Sequence, residues 1–76
     1  MEEMLFTVKE ASKVLKVDQQ TVRNLIGKGF IAGLKLGRLK VRKVEIERFL
    51  SWAEGKDLSN LDNVIELNNL NNEVDE

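Results

Sequence analysis

A chain of 76 residues has room for one domain around one small core. Because it contains neither cysteine nor histidine, disulfide bonds, thiolate metal sites and histidine general bases are excluded. The net charge is only −1, yet all 12 basic residues lie in residues 1–56, whereas residues 57–76 hold 6 acidic residues and no basic one.

This separation of charge divides the chain into a basic body, residues 1–56, and an acidic, asparagine-rich tail, residues 57–76. A basic body with an acidic tail is typical of a protein that binds a polyanion. The alternative is a solvated surface on which the charges separate without a function. We therefore predict one folded domain over the basic part and a separate tail.

Targeting and membrane signals are absent from the sequence pattern. No stretch approaches the roughly 20 apolar residues of a membrane span. The start, Met1-Glu2-Glu3-Met4, is acidic and lacks the basic and apolar regions of a signal peptide. The sequence thus predicts a cytoplasmic protein with no membrane contact.

Catalysis is not expected either, because histidine, cysteine and tyrosine are missing and no phosphate loop or metal-ligand cluster is present. Glu45 and Glu47 could be considered as a catalytic pair of carboxylates. Exposed acids on a basic helix are far more often solvated charges or ion-pair partners, here of Arg48. We predict no enzyme, no cofactor and no small-molecule substrate.

The first predicted helix begins at Thr7. The run Thr7-Val8-Lys9-Glu10 has the Ser/Thr-x-x-Glu pattern of a capping box. One face of this helix is apolar and holds Val8, Ala11 and Leu15. A second face is basic and holds Lys9, Lys13 and Lys16. The helix is expected to end near Lys16.

Asp18 is the next candidate N-cap and predicts a second helix from Gln19 to about Lys28. Gly29 suits the position that ends such a helix. The buried stripe is expected to consist of Val22, Leu25 and Ile26. Two short helices joined by about three residues form the helix-turn-helix pattern.

The opposite face of the second helix is polar and carries Gln19, Gln20, Arg23, Asn24 and Lys28. Gln and Asn side chains pair bidentately with adenine, and Arg with guanine. Because these residues point away from the buried stripe, they are free to enter a major groove. This face therefore predicts a surface that reads duplex DNA, and the alternative is an ordinary polar surface.

Apolar and basic residues alternate from Leu34 to Arg42, which predicts two short strands joined by a turn at Gly37-Arg38. The resulting hairpin, or wing, is expected to have a basic outer face of Lys35, Arg38, Lys40 and Arg42. Such long cations suit contacts with phosphates or with a minor groove. The alternative is that they protect a strand edge against aggregation.

A third helix is predicted from about Val44 to Glu54, with Gly55 ending it. Its apolar stripe would hold Ile46, Phe49, Leu50 and Ala53. Trp52 lies beside this stripe, and we predict that it packs at the rim of the core.

The tail differs in composition, since 6 of the 20 residues in 57–76 are asparagine, a poor helix former. Its apolar residues recur at every third position, which gives no stable helical stripe: Leu58, Leu61, Val64, Leu67 and Leu70. Residues 64–67 could equally form a strand, and the segment stays unassigned. Three roles are open: competition with DNA for the basic face, docking of a partner or a second copy, or a disordered solubilising tail.

These elements predict a mainly α fold with a small β-hairpin, a winged helix-turn-helix. The motifs that define it, in chain order, are Phe6-Thr7-Val8-Lys9-Glu10-Ala11, Leu15-Lys16-Val17, Thr21-Val22-Arg23-Asn24-Leu25-Ile26, Gly29, Lys35-Leu36-Gly37-Arg38 and Val41-Arg42-Lys43. This order resembles the excisionase-type DNA-binding domains, which are relatives of the MerR winged-helix fold. The resemblance covers about Leu5 to Leu50.

The resemblance implies that the second helix enters the major groove and the wing grips the adjacent backbone or minor groove. The matching recognition positions are Gln19, Gln20, Arg23, Asn24 and Lys28, and the matching wing positions surround Gly37-Arg38. Excisionases of this kind bend attachment sites and direct an integrase toward excision, often together with further copies of themselves. Other members regulate transcription. A function of another class would be a protein-interaction module or inhibitor that uses the acidic tail.

Overall fold

The computed structural model describes residues 4–67. Its elements in chain order are β1 (Leu5–Thr7), α1 (Val8–Leu15), α2 (Gln19–Gly27), β2 (Gly33–Leu36), β3 (Arg38–Arg42), α3 (Lys43–Ala53), β4 (Lys56–Asp57) and β5 (Ile65–Glu66). This order confirms the mainly α winged helix-turn-helix, in which α1 and α2 are the helix pair and β2 and β3 the wing. Within the described residues, no helix is long and apolar enough to cross a membrane.

Local hydrogen bonds set the limits of the first two helices. Thr7 Oγ1 accepts from Glu10 N at 3.1 Å and Glu10 Oε1 accepts from Thr7 N at 2.9 Å, which confirms the capping box. Lys16 ends α1 in the left-handed conformation, with φ 61°. The Asp18 carboxylate then accepts from Thr21 N at 3.0 Å and caps α2. Hydrogen bonds from the Thr21 side chain and backbone lower the pKa of Asp18, so the cap is ionised at neutral pH.

The core lies where the three helices meet the sheet. Its buried apolar members are Val8, Ala11, Val22, Leu25, Ile31, Val41, Ile46 and Phe49. In α2, Val22 and Leu25 are buried as predicted, while Ile26 is half-buried and packs against the core from its edge. The polar face of α2 is thereby turned to solvent.

Helix α3 buries a narrower face than its sequence pattern predicts. Ile46 and Phe49 are buried, but Leu50 is 47% exposed. Leu50 lines a groove beside the core instead, because so small a core covers only one side of the helix. Trp52 packs at the rim as predicted, with its ring centroid 5.6 Å from that of Phe30 and 6.2 Å from that of Phe49.

The wing is part of a three-stranded sheet in the order β1-β3-β2, rather than the isolated two-stranded hairpin that the sequence predicts. β1 pairs antiparallel with β3, with Leu5 opposite Arg42 and Thr7 opposite Lys40. Three residues are too few for a strand to show an alternating apolar pattern, so β1 left no recognisable signal. Its pairing joins the start of α1 to the wing.

The turn of the wing contains one residue, Gly37, rather than the predicted pair Gly37-Arg38. Leu36 is directly opposite Arg38, and Gly37 has φ 77°, a conformation that favours glycine. A shift of one residue moves every side chain of a strand to the other face. Leu36 therefore shares a face with Arg38 and is 61% exposed, whereas Lys35 shares the face of Leu39. The predicted outer face that holds all four wing cations is wrong for Lys35.

Residues 56–67 fold back onto the body of the protein. β4 and β5 pair antiparallel, which forms the strand that the sequence left open for residues 64–67. Leu58 and Leu61 are half-buried and pack against the core. Residues 68–76 of the predicted tail lie outside the described residues. The division of the chain into a domain and a tail stays a prediction.

Candidate nucleic-acid interface

A cleft of about 660 Å³ lies between α2 and the wing. It is lined by Thr7, Val8, Lys9, Gln19, Arg23, Lys35, Gly37, Arg38 and Leu39. Four of these residues are cationic and none is acidic. The cleft therefore gathers positive charge between a helix and a hairpin, which is the electrostatic character that a phosphate backbone requires.

The polar face of α2 lies along one wall of the cleft. Gln19 and Arg23 are about one helical turn apart, both are exposed, and both line the cleft. Beside them, Gln20 Nε2 donates to Asn24 Oδ1 at 3.0 Å. Asn24 also borders the groove behind α2 that Leu50 lines. Four of the five recognition positions thus form one continuous surface, and two of them face the wing.

The four predicted wing cations differ in whether they reach the cleft. Lys35 and Arg38 line the cleft. Lys40 is half-buried, and its Nζ donates to Leu36 O at 3.2 Å. Arg42 lies at the far end of β3 and lines a separate groove of about 550 Å³ between the sheet and the start of α3. The structure therefore brings two of the four predicted wing cations to the cleft.

Lys28 lies at the opposite end of α2 from Gln19 and does not line the cleft. Its Nζ is 2.7 Å from Asp62 Oδ1 in the segment between β4 and β5. The two side chains are 50% and 73% exposed, so this ion pair contributes little to stability. It nevertheless brings an acidic residue of the C-terminal segment to one end of the candidate DNA-reading helix.

Lys9 is the lysine of the basic α1 face that reaches the cleft. The sequence pattern placed Lys9 with Lys13 and Lys16 on a basic face of α1. Lys13 and Lys16 are exposed but do not line the cleft. The pairing of Thr7 with Lys40 brings the start of α1 beside the wing and Lys9 into the cleft. Since β1 could not be predicted, no signal in the sequence distinguished Lys9 from its neighbours.

The ion pair predicted for Arg48 forms with Glu45 on the same helix. Arg48 Nε donates to Glu45 Oε1 at 2.9 Å and Arg48 Nη2 donates to Glu45 Oε2 at 2.6 Å. Hydrogen bonding from Arg48, and after it from the Ala32 N–H, lowers the pKa of Glu45 to about 2. At neutral pH this carboxylate is therefore ionised and is not suited to exchange a proton with a substrate.

Comparison with known proteins agrees with this arrangement. The model of a family described as a helix-turn-helix domain matches residues 5–51. The match extends from β1 through the helix pair and the wing into α3. No curated protein and no solved structure matches the chain.

Proposed function

The chain belongs to the helix-turn-helix domain family, whose fold supports sequence-specific DNA binding, and on this premise we propose that its cleft grips duplex DNA. In this proposal α2 enters the major groove while the wing lies along the adjacent backbone or minor groove. The observation that carries the proposal is the cleft itself, where four cations from α1, α2 and the wing share one cavity without an acidic residue.

The proposed contacts divide into base reading and backbone binding. Arg23 and Gln19 are assigned to base edges, because arginine pairs bidentately with guanine and glutamine with adenine. Gln20 and Asn24 extend this surface along the same helix. The phosphate contacts are assigned to Lys9, Lys35 and Arg38 in the cleft and to Lys40 and Arg42 of β3 outside it. Lys28 joins them only where DNA displaces Asp62.

We expect this binding to weaken steeply with salt. About five phosphate contacts give a slope of about −4 to −5 in a plot of log K against log salt concentration, because each contact releases condensed counterions. Titrations of one duplex at several salt concentrations measure the slope. A flat plot would contradict the electrostatic argument, whatever the affinity at a single concentration.

Within this function we favour an excisionase-like architectural factor of a mobile element or phage that directs site-specific recombination. The support is the order of motifs from Phe6 to Lys43, which resembles the excisionase-type domains. Its partners would then be an integrase or a second copy of the chain. A small transcriptional regulator would use the same contacts. A neighbouring integrase gene, and excision that depends on the protein in a recombination assay, would separate the first role from the second.

The C-terminal segment gives a second candidate role, either in regulating DNA binding or in contacting another protein. The ion pair between Asp62 and Lys28 favours regulation, since a phosphate and Asp62 would compete for the same ammonium group. A truncation after Lys56 would also remove Leu58 and Leu61 from the core, so a point substitution tests this role more cleanly.

Asp62→Asn is expected to tighten DNA binding about 1.5- to 5-fold at low salt, the range that an exposed ion pair is worth, because it releases Lys28. The matched control is Glu66→Gln, which removes one negative charge from the same segment but from a pair with Lys56 at 3.6 Å. Binding titrations at low and high salt measure both variants, and the difference should vanish at high salt. Equal tightening by the two variants would show an effect of net charge and not of this pair.

A further inference from the structure

A connection of five residues, 28–32, joins α2 to the wing. Its middle is fixed to the end of α2, because Phe30 N and Ile31 N both donate to Leu25 O, at 2.9 and 3.3 Å. Ile31 is also one of the most deeply buried side chains, at 1% exposure. The pairing of β1 with β3 holds the wing from one side, and the position of the wing against α2 also depends on how the rest of this short connection is held.

Two side chains of α3 hold it. Glu45 Oε2 accepts from Ala32 N at 2.8 Å, and Arg48 Nη2 donates to Phe30 O at 2.8 Å. The same two side chains bind each other through the two hydrogen bonds described above. We call Glu45 and Arg48 the α3 clamp. It fixes backbone groups on both sides of Ile31 with charge-assisted hydrogen bonds, which are stronger than hydrogen bonds between neutral groups.

The clamp acts next to the place where α2 and the wing come into contact. A Cβ atom added at Gly33, the residue after Ala32, would lie 3.1 Å from Ile26 Cγ2 of α2 and 3.2 Å from Leu39 Cδ1 of β3. Ile26 of α2, Gly33 of β2 and Leu39 of β3 thus meet closely at this point, and Leu39 also lines the cleft. Because this contact is close, a shift of the connection would also move the wall of the cleft that carries Lys35 relative to the wall that carries Arg23.

We propose that Glu45 and Arg48 are positioning residues for DNA recognition, which set the width of the cleft although neither of them lines it. The inference rests on the proposed function, because it requires both walls of the cleft to contact one duplex at the same time. When the clamp opens, only a fraction of the molecules keeps the productive orientation of the wing. The affinity for a well-fitting duplex then falls by that fraction.

Two substitutions in the clamp and one outside it test the proposal. Glu45→Gln keeps the shape and an acceptor for Ala32 N but removes the charge that binds Arg48. Arg48→Lys keeps the charge but loses the planar fork that joins Glu45 to Phe30 O. The control is Glu47→Gln, which removes the same charge from an exposed position of α3.

Each variant is first shown by chemical denaturation to be fully folded at the temperature of the assay. Residual dipolar couplings of the free proteins then measure the orientation of the wing against α2. Dissociation constants are measured for a duplex selected from a random pool and for a scrambled duplex. We expect both clamp variants to change the residual dipolar couplings of the wing. Their affinity for the selected duplex should fall about tenfold, which is the loss expected when about one tenth of the molecules keep the productive orientation of the wing. The affinity of the clamp variants for the scrambled duplex should equal that of the wild type. The Glu47→Gln control should keep the wild-type couplings and the wild-type affinity for both duplexes.

Two results would overturn the inference. One is an unchanged wing orientation in the folded clamp variants, a result that needs no DNA. The other is a selected-duplex affinity equal to that of the wild type, which would leave the clamp with a role in stability alone. Failure of the wild type itself to prefer any duplex would instead overturn the proposed function, so the two failures are distinguishable.

Discussion

Phe49→Ala is expected to lower the free energy of unfolding by about 3–5 kcal/mol, the usual cost of removing a buried phenylalanine. Phe49 is 6% exposed and belongs to the cluster in which α2 and α3 meet. Its ring also packs against Trp52. Because a domain of this size has a total stability of about 5–15 kcal/mol, the loss is a large part of the whole. Urea denaturation followed by Trp52 fluorescence measures it.

The matched control is Leu50→Ala, at the neighbouring position of the same helix. Leu50 is 47% exposed, so we expect a loss well below that of Phe49→Ala. If Phe49→Ala does not fold, Phe49→Leu keeps most of the volume and should cost less than about 1.5 kcal/mol. Equal losses at positions 49 and 50 would contradict the orientation of α3.

Arg23→Ala is expected to weaken binding to the selected duplex by about 1–3 kcal/mol and to relax the preference for one or two base pairs. The physical reason is that a bidentate arginine–guanine pair discriminates among bases, whereas a phosphate contact does not. Competition assays with single base-pair variants of the selected duplex measure the lost preference.

Arg38→Ala is the control from the opposite wall of the same cleft. It removes an equal charge from the tip of the wing and should weaken selected and scrambled duplexes by the same factor. Lys40 is less suitable, because its bond to Leu36 O also supports the hairpin. If Arg23→Ala also weakens binding to the selected and the scrambled duplex by the same factor, Arg23 contacts the DNA backbone and does not read a base.

The helix pair could be predicted from the sequence because its signals are local. Thr7 with Glu10, and Asp18 with Thr21, cap the helices through hydrogen bonds within one turn. The sheet could not be predicted to the same degree, since it depends on pairings distant in sequence. β1 is too short to show a period, and the register of the wing follows from a turn with one residue instead of two.

In the candidate site, too, local features could be predicted from the sequence and features set by distant contacts could not. The face of α2 followed from helical spacing, and Gln19 and Arg23 do line the cleft. Which cations join them depends on tertiary contacts that no local pattern encodes. The register places Lys35 on the face of Leu39, the pairing of β1 adds Lys9, and Asp62 binds Lys28 at the far end of α2.

Selection from a random duplex pool, followed by titration of the enriched and a scrambled duplex, tests the central claim most directly. If the cleft grips DNA while α2 reads base edges, one motif is enriched and the enriched duplex binds about 10³-fold or more tightly than the scrambled one at physiological salt. Enrichment of no motif, together with equal dissociation constants for the two duplexes, would contradict the claim that this cleft reads DNA sequence.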